Sequence, residues 1–393
     1  MKIKIFIVIF MLLSLCGCYD YKEINDLAIV SAIGLSKTDD NIYKVTAQVI
    51  NTQSSGGESN LSSDIPTFYT YTSSDESLFK AIKNLTTIGS KNLYHNHFLL
   101  LLIDENVIKD DISDFFDVFV RETESRKEYN VFISKNNESE KILQTITTLQ
   151  TLNAKSIIKS NELNSNNIGT TIQKKFEIIL KEYLNKNSEV IIPSLILNIT
   201  NNSYDNTKIL ENSKENSTII NGPTAIFKDN KLNGYLTDNE TMCLKILTND
   251  IENIVYTHKD KNGLISLEII DIKNNIQFDK NDNKVYIKVK MESILSEVTS
   301  NIDLKKIDTI QYYNNILSKS LENDIKDFIN NTKYKYESDL ISIKDIIYKY
   351  ENKYYKKIID NYDEFYKNLD FDIDVEFSII QKGNATKEIN NEW

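Results

Sequence analysis

The amino terminus carries the feature that limits the chain most, a short export leader that ends at a cysteine. Two lysines precede the apolar run Ile5–Leu15, and the tetrapeptide Leu15-Cys16-Gly17-Cys18 closes it. A permanent bilayer span needs about 20 apolar residues, so this run is too short and has the layout of a signal peptide. Leucine at −3, a small residue at −1 and cysteine at +1 form a bacterial lipobox. The alternative is an ordinary secretory signal in which the cysteine is incidental.

The lipobox predicts a signal peptide over residues 1–17 and a mature chain that begins at Cys18 with a thioether-linked diacylglycerol. Two acyl chains, such as palmitate, anchor a protein stably where one holds only weakly. The longest later apolar run, Phe98–Ile103, fits a buried strand and not a second span. A first strand is expected at Ala28–Ile33. Because ten residues span at most about 33–36 Å, we expect the first domain to lie against the membrane.

Charge and cysteine content exclude several classes of protein. The net charge is −11, so the chain has no electrostatic reason to bind nucleic acid, and anionic lipid headgroups repel it. The acyl chains, together with a protein partner, must then hold it in place. Cys16 leaves with the leader and Cys18 is acylated, which leaves Cys243 without a disulfide partner. We expect Cys243 to be a small buried residue.

Hydrophobic periodicity predicts an α+β fold with two or three domains, mixed sheets and packed helices. Ile42–Ile50 alternates as a half-buried strand, and Pro66–Thr72 is expected as an edge strand. Two capping boxes are expected to begin helices, Ser73-x-x-Glu76 and Thr237-x-x-Glu240. Further helices are expected at Ile108–Val120, Glu138–Leu149, Ile172–Tyr183 and Ile346–Ile358, and further strands at Asn92–Ile103, Tyr129–Ser134, Leu264–Ile272 and Lys284–Met291.

The C-terminal half is expected to hold an antiparallel sheet covered by a long helix. Asp229-Asn230 predicts a tight hairpin turn between Thr224–Lys228 and Lys231–Leu236. The apolar stripe from Ile307 to Phe328 predicts the long helix. Phe371–Phe377 alternates apolar residues with outward carboxylates, which suits an exposed strand and blunts edge association.

Composition shifts divide the chain. We predict an N-terminal region over residues 18–200 with an inserted part at about 65–150, a polar linker over 201–221, a C-terminal domain over 222–385 and a tail over 386–393. The linker is predicted from a run rich in Asn, Ser, Lys and Glu. The Ser-, Gly- and Asn-rich stretch Gln53–Asp64 is expected to be a mobile loop.

No catalytic or cofactor-binding constellation stands out. There is no Gly-rich phosphate loop after a strand and no Gly-x-Ser-x-Gly elbow. His95 and His97 would point the same way in a strand, but a metal site needs a further ligand, so His97 is expected to have a structural or hydrogen-bonding role. Asp339 and Glu297 lie in less charged surroundings, where a cap or a surface acid is the simplest interpretation. We predict no metal, no cofactor and no enzymatic activity.

Four stretches in order resemble the C-subunit lipoproteins of nutrient germinant receptors in spore-forming bacteria, the GerC type. They are Cys18–Ala28, with Tyr19 where the family usually has tryptophan; Lys91–His97, with Asn96 where it usually has glycine; Ala225–Leu236, which includes Gly234 and is followed by Glu240; and Ser338–Ile341, which includes Asp339. The final alternating strand also fits. Asparagine tolerates positive φ better than most residues, so the turn at Asn96 is expected to survive.

The resemblance implies a three-domain, lipid-anchored and non-enzymatic receptor subunit, exported to the outer face of the inner spore membrane. It would act with integral A and B subunits in triggering germination. His97, Asn96, Gly234, Glu240, Glu297 and Asp339 are its candidate structural motif residues, and Cys18 is its lipidation site. Two rival hypotheses are a solute-binding lipoprotein that captures a nutrient itself, which needs a cleft with convergent polar groups, and a cell-wall hydrolase.

Overall fold

The computed structural model describes residues 27–51, 66–87, 91–122, 126–147, 152–199, 205, 217–251, 253–260, 263–299 and 307–381. The lipobox, the predicted loop at residues 53–64 and most of the predicted linker lie outside them. In the part of the chain that is described, no helix is long and apolar enough to cross a membrane.

The first sheet has nine strands in the order β3-β2-β1-β5-β6-β7-β8-β9, with β4 beside the start of β1. Its centre, β1-β5-β6-β7, is parallel, and the outer strands pair antiparallel on both sides. The strands are β1 (Leu27–Lys37), β2 (Tyr43–Ile50), β3 (Phe68–Asp75), β4 (Asn92–Tyr94), β5 (Leu100–Asp104), β6 (Asn130–Ser134), β7 (Ile191–Ile199), β8 (Ser217–Lys228) and β9 (Lys231–Leu236).

Helices cover both faces of this sheet. One face packs on apolar side chains of α1, α3 and α6, among them Leu85, Phe116 and Phe176. The other face packs on α4 and α5 through residues such as Leu143 and Ile157. The helices of this half are α1 (Leu78–Leu85), α2 (Glu105–Ile108), α3 (Ser113–Arg121), α4 (Ser139–Gln144), α5 (Asn153–Asn167) and α6 (Phe176–Leu184).

The second sheet has the order β10-β11-β12-β13, and a long helix lies across it. The predicted apolar stripe of that helix is confirmed, because Leu317, Leu321 and Ile325 are all fully buried. The elements are α7 (Asp238–Thr248), β10 (Ile254–Asp260), β11 (Gly263–Asp279), β12 (Lys284–Val298), α8 (Ile307–Tyr334), α9 (Ile343–Tyr350), α10 (Asn352–Ile358), α11 (Tyr362–Asn368) and β13 (Asp370–Gln381).

The predicted α+β class with mixed sheets is confirmed, but one strand of the second sheet runs in the direction opposite to the one expected. The second sheet was expected to be antiparallel, yet β13 runs parallel to β12. The helices between these two strands carry the chain back to the starting end of β12, which is the crossover that a parallel pair requires. Lysines of β12 face the predicted carboxylates of β13, as in the Lys290–Glu376 pair at 2.6 Å.

Two other local predictions need correction. Ser73 does not cap a helix, because it lies in β3 and its hydroxyl donates to the Ala81 carbonyl. Ser77 caps α1 instead, its Oγ accepting from the Lys80 N–H at 3.4 Å. Asn92–Ile103 is not one strand, since β4 ends at Tyr94 and a turn separates it from β5.

Candidate functional site: the junction around Tyr336

The nine-stranded sheet and the helices that follow it in the sequence meet around the side chain of Tyr336. This residue follows α8 and is buried. Its hydroxyl donates toward the Glu240 carboxylate, with O···O distances of 3.1 and 3.2 Å, and it lies 2.9 Å from the Tyr235 carbonyl oxygen. Lys335 Nζ donates to the same hydroxyl at 2.7 Å. One phenol therefore connects β9, α7 and the end of α8.

Glu240 is held by the predicted capping box, which the structure confirms. Glu240 Oε2 accepts from the Thr237 N–H at 2.7 Å, and Thr237 Oγ1 accepts from the Glu240 N–H at 3.3 Å. Asn331 Nδ2 of α8 donates to Oε1 at 2.9 Å. Burial raises the pKa of Glu240, but the hydrogen bonds from Thr237, Tyr336 and Asn331 outweigh it and hold the pKa below its usual value. The carboxylate is a fixed acceptor at the centre of the junction.

Gly234 of β9 lies beside the Tyr336 ring. It has φ of 153°, and a Cβ at this position would lie 3.4 Å from Cε1 of Tyr336. A side chain there would be strained by the backbone, while its Cβ would make only ordinary van der Waals contact with the ring. The neighbouring Asn233 donates its side-chain amide to the Tyr336 carbonyl and to Ser338 Oγ. The Tyr336 carbonyl and the Ser338 side chain are thereby both bound to β9.

Asp339 is buried beside this cluster and fastens the segment that leads into α9. Its Oδ2 accepts from the Lys344 N–H and from the Tyr362 hydroxyl, each at 2.7 Å. Burial raises the pKa of Asp339, and the hydrogen bonds from Lys344 and Tyr362 only partly offset it. The interpretation of Asp339 as a cap agrees with these bonds, because Lys344 lies in the first turn of α9.

A second carboxyl group comes from the first half of the chain. Burial is the main cause that raises the pKa of Glu189 to about 7, and the negative charge of Asp339 contributes to this rise while Lys228 and Lys344 oppose it. Lys344 Nζ also donates to the Lys186 carbonyl at 3.0 Å. The residues just before β7 are therefore bound by the segment around α9.

Lys245 of α7 makes a separate tie between the halves. It is 1% exposed, and its ammonium group donates to the carbonyl oxygens of Ser165 at 2.9 Å and Thr171 at 3.3 Å, and to the Ser165 hydroxyl. A buried ammonium group is stable only when its donors are satisfied, and Ser165 near the end of α5 and Thr171 after it supply the acceptors here.

The structure thus brings together Gly234, Glu240 and Asp339 but not the other candidate residues. Glu297 is exposed near the end of β12, where Ser266 Oγ donates to it at 3.4 Å, so it is a surface acid. Asn96 lies in a turn without positive φ, and its carbonyl accepts from the Arg126 N–H at 3.2 Å. Cys18 lies outside the described residues.

The two histidines do not point the same way, contrary to prediction. They follow the end of β4 in a turn, so the alternation of a strand does not apply. His95 is buried with its Nε2 3.9 Å from a carboxylate oxygen of Glu122, whereas His97 is exposed. The Tyr94 hydroxyl lies 3.0 Å from His97 Nδ1 and the two rings stack, which fits a local hydrogen-bonding role. Among the described residues, no cluster of three or more potential ligands could hold a metal ion.

Three residues of the junction were not predicted from the sequence: Tyr336, Glu189 and Lys245. The capping box predicts the position of Glu240 because it is a local sequence pattern. No local sequence pattern indicates the role of Tyr336, because the Tyr235 and Glu240 groups that it contacts lie about a hundred positions away. Cys243 was predicted to be buried, and it is, one turn of α7 from Glu240. Burial raises the pKa of its thiol well above the usual value.

Profiles of known families match two long parts of the chain, and the residues around Tyr336 lie in the second of them. The "Spore germination protein N-terminal domain" matches residues 20–197, and "Spore germination B3/ GerAC like, C-terminal" matches residues 223–383. The chain belongs to this GerAC-type family of spore germination proteins, and the resemblance seen in its sequence is confirmed.

Individual relatives extend over nearly the whole chain. "Spore germination protein B3" of Bacillus subtilis (strain 168) is 25% identical over 98% of this chain and 99% of its own length. "Spore germination protein KC" of the same organism is 25% identical over 99% of this chain and 98% of its own. The crystal structure of the GerBC protein has the same fold, with a TM-score of 0.54, 21% identity, and coverage of 89% of this chain and 97% of that one.

Proposed function

We propose that the protein is the lipid-anchored, non-enzymatic C subunit of a nutrient germinant receptor, which triggers spore germination together with integral A and B subunits. The observation that carries the proposal is the end-to-end family match, 20–197 and 223–383, to proteins named for spore germination. The place of action would be the outer face of the inner spore membrane, reached by export and acylation.

The leader supports the anchor. Cys18 closes a lipobox and lies nine residues before Leu27, where β1 begins. Acylation there would confine the folded body to the membrane plane and raise its effective concentration near membrane partners. The junction around Tyr336 supports a docking role, since its hydrogen bonds join β9 of the first sheet to α7 and α8.

Replacing the acylated thiol tests the anchor. Cys18→Ala should move the protein from the membrane fraction to the soluble fraction and impair germination by nutrients. Cys16→Ala is the matched control, because it removes a cysteine from the same tetrapeptide and leaves the lipobox intact. Mass spectrometry of the mature amino-terminal peptide should show the diacylglycerol adduct. A Cys18→Ala chain that fractionates with membranes and supports normal germination contradicts the proposal.

Co-purification tests the partners. The tethered chain, extracted in mild detergent, should carry the A and B subunits with it, and the Cys16→Ala control should do the same. Recovery of the chain alone from membranes that contain both subunits would argue against assembly.

A cavity between the halves favours one second candidate, a solute-binding role. Its volume is about 280 Å³, and it is lined by charged groups from both halves, among them Lys174, Glu182, Glu189, Lys245 and Asp250. This volume is near the lower end for ligand pockets, about 300 Å³. Calorimetry against amino acids and sugars separates the two functions: heat that is lost with Glu189→Gln would favour nutrient capture by this chain.

A further inference from the structure

A basic cavity opens at the edge of the first sheet where β5 and β6 begin. Its volume is about 500 Å³, and Phe98, Leu99 and Ile158 supply apolar parts of its wall. Six charged side chains line it: Arg126, Lys155, Lys159, Lys175, Glu128 and Glu162. Four cations against two carboxylates is an unusual balance in a protein whose net charge is −11.

The charged groups that line this cavity carry two more positive charges than negative charges, since Glu128 and Glu162 are its two carboxylates. Lys159 Nζ pairs with Glu162 Oε1 at 3.0 Å, which removes one charge of each sign. Arg126, Lys155 and Lys175 are exposed, and no ion pair joins them to any residue in the described ranges. Lys155 and Lys159 are also one turn apart on α5, where like charges repel and weaken a helix. Such a concentration of cations favours an anionic ligand.

The cavity lies at the edge of the sheet from which the chain leads back to Cys18. The Leu99 N–H donates to the Ser31 carbonyl at 2.8 Å, so the cavity wall adjoins the first half of β1. β1, β5 and β6 are parallel, so their starting ends share this edge. Leu27 is nine positions after Cys18 in the sequence, and this stretch can span at most about 30–32 Å. An acylated Cys18 would therefore hold this edge close to the bilayer.

We propose that this cavity binds a phosphate-bearing anion, and that the phosphate is that of an anionic phospholipid headgroup. The assignment of a lipid source rests on the lipid anchor proposed above. The chain as a whole is acidic and is repelled by anionic headgroups, whereas the cations of this cavity attract them. Acyl chains and cavity together would hold the body in one orientation, with the same face always toward the membrane.

The test uses the unacylated chain beginning at Tyr19, which retains every described element. It is titrated with phosphatidylglycerol–phosphatidylcholine vesicles and with pure phosphatidylcholine vesicles, and binding is followed by co-sedimentation. Lys155→Ala with Lys175→Ala should weaken binding to the anionic vesicles about 30-fold, from about 1 kcal/mol for each basic residue at an anionic surface. Lys356→Ala with Lys357→Ala, two exposed lysines of α10, is the matched control and should leave binding nearly unchanged.

A second arm identifies the source of the phosphate. Calorimetry with soluble glycerol 3-phosphate should give much weaker binding than the anionic vesicles. The protein could instead bind glycerol 3-phosphate in a way that depends on Lys155 and Lys175, and not bind vesicles. That result would support a phosphate site in the cavity and overturn the proposal that the phosphate belongs to a lipid. Failure to bind either, or equal loss in the α10 control, would overturn the site. The vesicle and calorimetry experiments use the chain that begins at Tyr19 and carries no lipid. Their outcome is therefore independent of acylation at Cys18, whose failure would be seen separately in the mass spectrum of the mature protein.

Discussion

The geometry of the junction predicts how far the free energy of unfolding falls when the hydroxyl oxygen of Tyr336 is removed. Tyr336→Phe keeps the ring, which packs against Gly234, and removes the donor to Glu240 and the acceptor for Lys335. A hydrogen bond to a charged group contributes about 1.5–3 kcal/mol to stability. Glu240 keeps its bonds from Thr237 and Asn331, so it is not left as an unpaired buried carboxylate. We expect the free energy of unfolding to fall by about 2 kcal/mol.

The pH dependence of that loss distinguishes removal of the hydrogen bond to Glu240 from a nonspecific destabilisation of the fold. The folded pKa of Glu240 is lowered from its ordinary value of 4.5, so its contribution is present above pH 4.5 and is lost as the pH falls through the folded value. Tyr336→Phe raises the folded pKa back toward 4.5. The difference in stability between parent and variant should therefore be full at pH 7 and shrink below about pH 4.5.

Urea unfolding followed by circular dichroism at pH 7 and at pH 4 measures both quantities. Tyr350→Phe is the control, because Tyr350 is 81% exposed and its hydroxyl should contribute nothing. An unchanged unfolding midpoint for Tyr336→Phe, or a loss that is the same at both pH values, would refute the reasoning.

Substitutions at three further positions test other parts of the fold. Gly169→Ala should cost about 2–4 kcal/mol in urea unfolding, because Gly169 has φ of 83° and its Cβ would lie 2.4 Å from Ile254 Cγ2. Glu189→Gln should stabilise the protein at pH 8 by about 1–3 kcal/mol and change little at pH 4.5. The pKa of Glu189 is raised to about 7, so its favourable contribution is present below 4.5 and is lost as the pH rises through about 7; unfolding midpoints at the two pH values check this. Lys245→Ala should cost about 3 kcal/mol, since it removes the donor to Ser165 and Thr171 and leaves a cavity. Lys245→Met, which keeps most of the volume, should show a smaller fall in thermal midpoint than Lys245→Ala.

Local patterns predicted the elements whose buried face is apolar. The stripe of α8 and the alternation of β13 are visible in the sequence because Leu, Ile, Val and Phe recur with the period of the element. The hairpin at Asp229-Asn230 was predicted for a comparable reason. Both residues adopt positive φ, at 49° and 65°, which Asp and Asn tolerate better than most residues.

Helix α5 was missed because its buried face is partly polar. Asn153 donates to the carbonyls of Ile142 and Thr145, and Asn161 donates to Thr171 and Asn221. A run rich in Asn and Ser indicates a loop when hydrophobicity alone is counted. The tertiary partners that make these side chains acceptable in a core lie outside the segment, so periodicity within it does not reveal them.

The junction was only partly predictable for the same physical reason. The capping box marked Glu240, and the resemblance marked Gly234 and Asp339. Tyr336 gains its role only when α8 returns the chain to β9. Likewise, the raised pKa of Glu189 comes from burial and from a carboxylate 150 positions later in the sequence.

The pairing of β7 with β8 has a consequence for any attempt to divide the protein. Residues 191–199 and 217–228 are consecutive strands of one sheet, although one family profile ends at residue 197 and the other begins at residue 223. A fragment cut in that interval would leave β7 with a bare row of peptide donors and acceptors, a template for self-association. The amino-terminal half is completed by strands that the carboxy-terminal half supplies, so the ribosome must pass residue 236 before the first sheet is whole.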